Sequence, residues 1–316
     1  MNLYEASSIY IQSLQDIGLS PNTISSYKTD LKQFTNKLGL DTELDDLTYP
    51  IISNFFAHLN EKDLAYASLK RKRVVIQNFL RFCYEKRLCK YNHADLIDPM
   101  RGRQTSKPKD VLTPKEIRQI MDYLDSKLET YKDKTNKKSL EMYYVASRNM
   151  LLINILLYTG CRASEAVSIK KDSILLEDNT IEILAKGSKH NKIPIHNNLK
   201  KALENHNNQL KYLKGLDFTT VNNVYLFPSK KNIKSHISTR TLYDLMIELS
   251  GVIGRDIHAH LFRHTFASYS IASGMNIATL SSIVSHSNPA ITLSIYTHEI
   301  ESHQKQEQMK KLQFEI

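Results

Sequence analysis

The sequence predicts a mainly α-helical chain, with a small four-helix N-terminal domain ahead of a larger α+β domain that carries a small three-stranded antiparallel sheet. Three observations predict it. Apolar residues recur at helical spacing through most of the 316 residues. β-formers cluster between turn residues in one stretch, 173–195. A basic, proline-bearing stretch after residue 100 separates two regions of different charge. The length suits about two domains and a sizeable core.

In chain order, Leu3–Leu14, Pro21–Leu38 and Pro50–Leu59 each read as amphipathic helices. Ser20 followed by Pro21 is a helix cap with proline at the first helical position. The fourth helix lies within Ala67–Leu88, where Val74, Val75, Ile76, Phe79, Leu80 and Cys83 supply an apolar face. Residues 101–109 hold four basic residues and no acid, with Pro108 and Pro114 as breakers, and suit an extended linker. The expected division is therefore 1–102, a linker over 103–111, and a second domain over 112–316. Thr113 and Glu116 form a capping box that opens a helix to about Leu128. The polar, lysine-rich residues 129–142 read as a surface insertion. A strongly apolar helix runs from about Tyr144 to Tyr158, then strands over Ser173–Leu176, Thr180–Leu184 and Lys192–Ile195, and mostly helix from Leu199 onward. No internal repeat is present.

Composition excludes several classes. Apolar residues at 41%, charged residues at 24%, nine glycines and eight prolines rule out collagen-like, disordered and low-complexity chains. Cys83, Cys89 and Cys161 are an odd number without CxxC spacing, against a disulfide framework or zinc ribbon and in favour of a reducing, cytoplasmic setting. The N-terminus lacks a secretory pattern. The longest apolar run, Met150–Tyr158, is broken by Asn154 and falls short of the roughly 20 residues that span a bilayer.

The net charge of +10 favours an acidic partner, nucleic acid before membrane. Its distribution is uneven, because Lys70–Lys90 carries eight basic residues against Glu85 alone. Lys70, Arg71, Lys72 and Arg73 open that run, and Arg101, Arg103, Lys107 and Lys109 continue the theme in the linker. Both groups are candidate phosphate contacts. A solvated charged face fits the helix as well.

For chemistry, the second half offers Arg162 after a glycine, Lys186 in a hairpin turn, the cluster His258–His264, His286 and Tyr296. His260, Arg263 and His264 share a helical face by their spacing. His260 and His264 lack the glutamate of a zinc-hydrolase HExxH, since Leu261 stands in its place, so no metal is expected. Among 17 tyrosines, residue type alone singles out none.

Taken in order, five motifs select them: Thr159-Gly160-Cys161-Arg162-Ala163-Ser164-Glu165; Ala185-Lys186-Gly187-Ser188-Lys189 with Ile193-Pro194-Ile195; His260-Leu261-Phe262-Arg263-His264-Thr265-Phe266-Ala267; His286-Ser287-Asn288; and Ile295-Tyr296-Thr297-His298. Together they resemble the tyrosine recombinase (phage integrase) family. Leu19-Ser20-Pro21-Asn22-Thr23 with Tyr27 and Asp30 is similar to that family's core-site-binding domain. The chain most resembles compact Xer-like or transposon-borne members, although Ser285 stands where the family usually has glycine.

The resemblance implies a catalytic set of Arg162, Lys186, His260, Arg263 and His286 around the nucleophile Tyr296, supported by Glu165 and His264. In that scheme Arg162 and Arg263 clamp the phosphate, His260 takes the phenol's proton, Lys186 protonates the leaving 5′ oxygen, His286 hydrogen-bonds the phosphate and Glu165 orients Arg162. It needs no cofactor. It also implies a C-shaped clamp on duplex DNA with paired inverted half-sites, a homodimer on each site and a homotetramer in the synaptic complex. The setting expected is the cytoplasm, in association with the nucleoid. The tail, with Met309, Leu312, Phe314 and Ile316, is expected to dock on a neighbouring protomer. Two alternatives share the clamp: a type-IB topoisomerase-like relaxing enzyme, and a catalytically silent DNA-binding regulator. Tyr269, near the HxxR helix, is the second-choice nucleophile.

Overall fold

Reciprocal caps start several helices of this computed structural model, which describes residues 1–62, 64–100, 110–185, 189–285, 288 and 290. Asn2 Oδ1 accepts from the Glu5 amide at 2.9 Å to open α1 (Leu3–Asp16). Ser20 Oγ accepts from the Thr23 amide at 3.3 Å to open α2 (Pro21–Leu38), as its sequence predicts. α3 (Tyr49–Asn60) and α4 (Tyr66–Glu85) complete a helical unit that clusters as Met1–Thr105. Its core joins Leu3, Leu31, Phe34, Leu44, Ile52, Ile76, Phe79 and Leu80, all nearly solvent-free. Phe34 meets Phe55 edge to face with ring centroids 5.0 Å apart. Each such burial contributes about 1.5–3 kcal/mol.

Val74 departs from expectation and is exposed. α4 turns about 100° per residue, so Val75, Ile76, Phe79, Leu80 and Cys83 already fill its buried arc.

The second unit, Ser106–Ile316, begins its described part with α5 (Pro114–Lys132), capped by Thr113 and Glu116 in both directions at 3.2 and 2.7 Å. α6 (Lys137–Thr159) follows after only four residues. Residues 129–142 form no surface loop: they are the last turn of α5, a short connection and the first turns of α6. Asn136 caps α6, and Leu128, Leu140, Tyr143 and Tyr144 form a second small core with Leu213, leaving the lysines on the solvent side. Farther along, Leu151, Leu152, Ile153, Ile155 and Leu156 are buried in unbroken near-succession, which makes α6 the central helix.

Beyond α7 (Ala163–Val167), β1 (Ile174–Leu175), β2 (Thr180–Ala185) and β3 (Lys189–Pro194) form an antiparallel sheet in the order β1-β2-β3. Ile181 pairs with Ile193, Ile183 with Asn191 and Ala185 with Lys189. α8 (Asn197–Gly215), α9 (Thr239–Ile253), α10 (Ala259–Ala272) and α11 (Ile277–Ile283) complete the described elements. Ile181, Ile183 and Ile193 of the sheet pack into one core with α5, α6, α9 and α10. All three cysteines are buried and unpaired.

Candidate active site

The end of α6 sets the first catalytic candidate. Thr159 Oγ1 donates to the Ile155 carbonyl at 2.7 Å and accepts from the Cys161 amide at 3.2 Å. Gly160 ends the helix with φ 59°, and a Cβ there would stand 2.5 Å from the Phe266 ring of α10. Left-handed backbone and close approach both call for glycine. Two residues on, Arg162 stands immediately before α7. The buried Glu165 carboxylate accepts from the Arg162 amide and from its Nη1, each at 2.8 Å. A buried carboxylate thus fixes one edge of a guanidinium whose side chain keeps a third of its surface exposed.

Arg263, on α10, is 2% exposed. Its Nη1 donates to the Gly160 carbonyl at 2.8 Å and its Nη2 to the Val284 carbonyl at 2.5 Å. One guanidinium therefore joins two of the five motif segments, the turn at Gly160 and its own helix, and also holds the backbone at Val284, two residues ahead of the fourth. His260 and His264 lie on the same helix, their rings edge to face at 4.7 Å. His258 serves differently, its Nδ1 accepting from the Leu261 amide at 3.1 Å to cap α10.

The sheet meets this region through Asn191. Its Nδ2 donates to the carbonyls of Ser282 and Ile283, at 3.1 and 2.7 Å, and to Ser285 Oγ at 2.8 Å. Ser285, in the position where glycine was the expected type, has φ 55°. Lys186, between the paired Ala185 and Lys189, lies outside the described residues, as do His286, Tyr296 and the tail to Ile316.

Tyr269, the second-choice nucleophile, makes a structural bond in this fold. Its hydroxyl donates to the Leu112 carbonyl at 3.2 Å, and burial pushes its phenol above the usual value. It belongs to a staple on the segment that enters this unit. There the Leu112 amide donates to Thr265 Oγ1 at 2.9 Å. Arg255 also bridges Asp110 and Glu116 there, each at 2.5 Å. The hydrogen bonds from Arg255 hold the Glu116 carboxyl down at about 2. Sequence reading missed this staple, as it missed Asn191.

The basic run of α4 is divided by the fold. Lys72 is buried, its Nζ donating to Asp30 Oδ1 and Gln33 Oε1, both at 2.7 Å. This corrects its assignment as a phosphate contact, because a buried Asp30 requires a counter-charge. Arg71 pairs with the same aspartate at 3.0 Å while half of its side chain stays exposed. Arg73 lies 4.3 Å from the Phe56 ring centroid and donates to the Asp98 carbonyl at 2.8 Å. Lys70 is exposed. Arg101, Arg103, Lys107 and Lys109 lie outside the described residues. Among the described residues no group of three or more His, Cys, Asp or Glu is placed to hold a metal ion, and no helix is long and apolar enough to cross a membrane.

Residues 110–303 match the model of the phage integrase family, and residues 9–87 match that of the phage integrase N-terminal SAM-like domain. Tyrosine recombinase XerC of Pseudomonas syringae pv. tomato is 24% identical over 285 residues, covering 89% of this chain and 86% of the relative. Among solved structures, the Tn1549 transposon integrase in complex with transposon right end DNA aligns with TM-score 0.68 at 18% identity, covering 98% of this chain and 99% of that one. A lambda integrase dimer bound to a COC′ core site aligns with TM-score 0.66 at 17% identity, covering 92% and 97%. These structural likenesses show a shared fold.

Proposed function

The chain belongs to the phage integrase family of tyrosine recombinases, and from that premise we propose that it cuts and rejoins duplex DNA at specific sites through a 3′-phosphotyrosine link. The observation that carries the reading is the Arg263 bridge. By bonding the Gly160 carbonyl, it brings one motif arginine to the turn that precedes the other, Arg162. Two guanidinium groups so placed can hold the non-bridging oxygens of a phosphodiester as charge develops on them.

The Tyr296 phenolic oxygen attacks the phosphorus, forming a P–O bond to tyrosine as the bond to the 5′ oxygen breaks. The phenol's proton passes to His260, and Lys186 delivers a proton to the departing 5′ oxygen. His286 hydrogen-bonds the phosphate. A 5′ hydroxyl of the partner strand then attacks the phosphotyrosine and releases the phenol, so the bond energy is conserved without a nucleotide. The Glu165 carboxylate keeps Arg162 in place, with His264 supporting the ring of His260.

The substrate is duplex DNA with paired inverted half-sites, bound by a homodimer on each site and joined by a homotetramer through a four-way junction. The phosphates are gripped by Lys70, Arg71 and Arg73 together with Arg101, Arg103, Lys107 and Lys109. The biological role is integration and excision, or resolution, of a mobile element or chromosome dimer in the cytoplasm. Relatives that are recombinases do not favour a relaxing enzyme or a silent regulator.

The test uses a nicked duplex carrying the site that the full-length protein selects from a randomised pool. Wild type is expected to become covalently attached to it. Tyr296→Phe should bind the same duplex and form no adduct, and an adduct in that variant would reassign the nucleophile.

A further inference from the structure

Asn191 occupies a position where the sheet's pattern calls for an apolar side chain. It pairs with the buried Ile183 on the face that also carries Ile181 and Ile193, so its amide needs hydrogen-bond partners there. Those partners are not in the sheet. They are two carbonyls in the last turn of α11 and the hydroxyl of Ser285, 91 to 94 residues away. The turn they hold is strained, since a left-handed φ of 55° at a serine costs about 1–2 kcal/mol. On its other side Arg263 holds the Val284 carbonyl. The backbone leading into residue 286 is therefore bonded from two directions, by a strand and by α10.

The apolar anchoring of the sheet does not depend on these bonds, because Ile181, Ile183 and Ile193 are buried in the main core. What Asn191 adds is registry between the hairpin and the end of α11.

We propose that Asn191 is a positioning residue for strand cleavage: its amide fixes β3 against the Ser282–Ser285 turn and so sets the place of the hairpin that carries Lys186. The proposal rests on the reading of Lys186 as the acid that protonates the 5′ oxygen. Asn191 touches neither phosphate nor nucleophile in this account, and acts through the strand that it holds.

The test uses full-length Asn191→Asp, which keeps the shape and lacks the donor, and Asn191→Ala, with Lys186→Ala as the control. The probe is the selected, nicked duplex with either oxygen or sulfur at the bridging 5′ position of the scissile phosphate. A thiolate leaves without a proton, so sulfur removes the need for the acid. Both Asn191 variants should cut the oxygen probe about 10- to 100-fold more slowly, with DNA binding within about twofold of wild type. On the sulfur probe they should recover toward the wild-type rate, as Lys186→Ala should.

Wild-type cleavage of the oxygen probe by the Asn191 variants would overturn the proposal. So would equal slowing on both probes, and in either case rescue of Lys186→Ala by sulfur keeps the reading of Lys186. If sulfur fails to rescue Lys186→Ala, that reading falls, and the proposal with it.

Discussion

His206 carries a ring that the fold keeps neutral. It is buried against α6, its Nδ1 2.6 Å from Ser147 Oγ, while that hydroxyl donates its one proton to Gln209 Oε1. The imidazole must therefore be the donor in the first bond. Burial first, and the nearby Arg148 charge second, push its titration down to about 4. An unfolded chain binds this proton near pH 6.5, so between about 6.5 and 4 the unfolded state holds more protons and stability falls as pH falls, while above 6.5 the contribution is constant. Urea unfolding at several pH values should show this loss, up to ~3 kcal/mol, in wild type. His206→Asn retains a donor near Nδ1 and cannot titrate, so its stability should be flatter across that window. Parallel pH curves for the two proteins would place the acid sensitivity elsewhere.

At the scale of elements, α4 joins two tasks that its sequence does not separate. Lys72 turns inward to Asp30, while Lys70, Arg71 and Arg73 keep charge at or near the surface. Changing those three to Gln should weaken binding to all duplexes and flatten the salt slope by about 0.9 for each phosphate no longer neutralised. Lys72→Gln should leave the slope alone and lower the stability of the N-terminal unit by about 3 kcal/mol, because it leaves Asp30 short of a buried partner. A salt titration and a urea titration of each variant read the two effects, and an unchanged slope in the triple variant would make this a solvated face. Range along the chain decides what a sequence makes legible. The start of α2 and the Thr113–Glu116 box depend on residues three apart, so they can be read locally. The Lys72–Asp30 pair spans 42 residues, Asn191 to Ser285 94 and Arg255 to Glu116 139, and no local pattern announces such pairings. Residues 129–142 misled for another reason: their lysines obscured the helical spacing of Leu128, Leu140, Tyr143 and Tyr144.

For the whole molecule, the motif residues legible in the sequence divide by segment. Arg162, Glu165, His260, Arg263 and His264 are described residues of the second unit, whereas Lys186, His286 and Tyr296 lie outside the described residues. We expect assembly to depend on the tail, whose sequence offers Met309, Leu312, Phe314 and Ile316 as apolar groups for a neighbouring protomer. Deleting residues 308–316 should leave binding to one half-site nearly intact while reducing cooperative assembly and recombination of paired sites. Recombination at the full-length rate would return the tail to a frayed end. The buried cysteines of the two cores give direct access to such assemblies. The Cys83 and Cys161 thiols are pushed up to about 12 by burial, and burial raises Cys89 as well. With burial and little thiolate at neutral pH, the native chain is expected to react slowly with maleimide dyes. A single cysteine introduced on an exposed helix face would then carry the label almost alone, making each unit separately visible to fluorescence in a test of the proposed assembly.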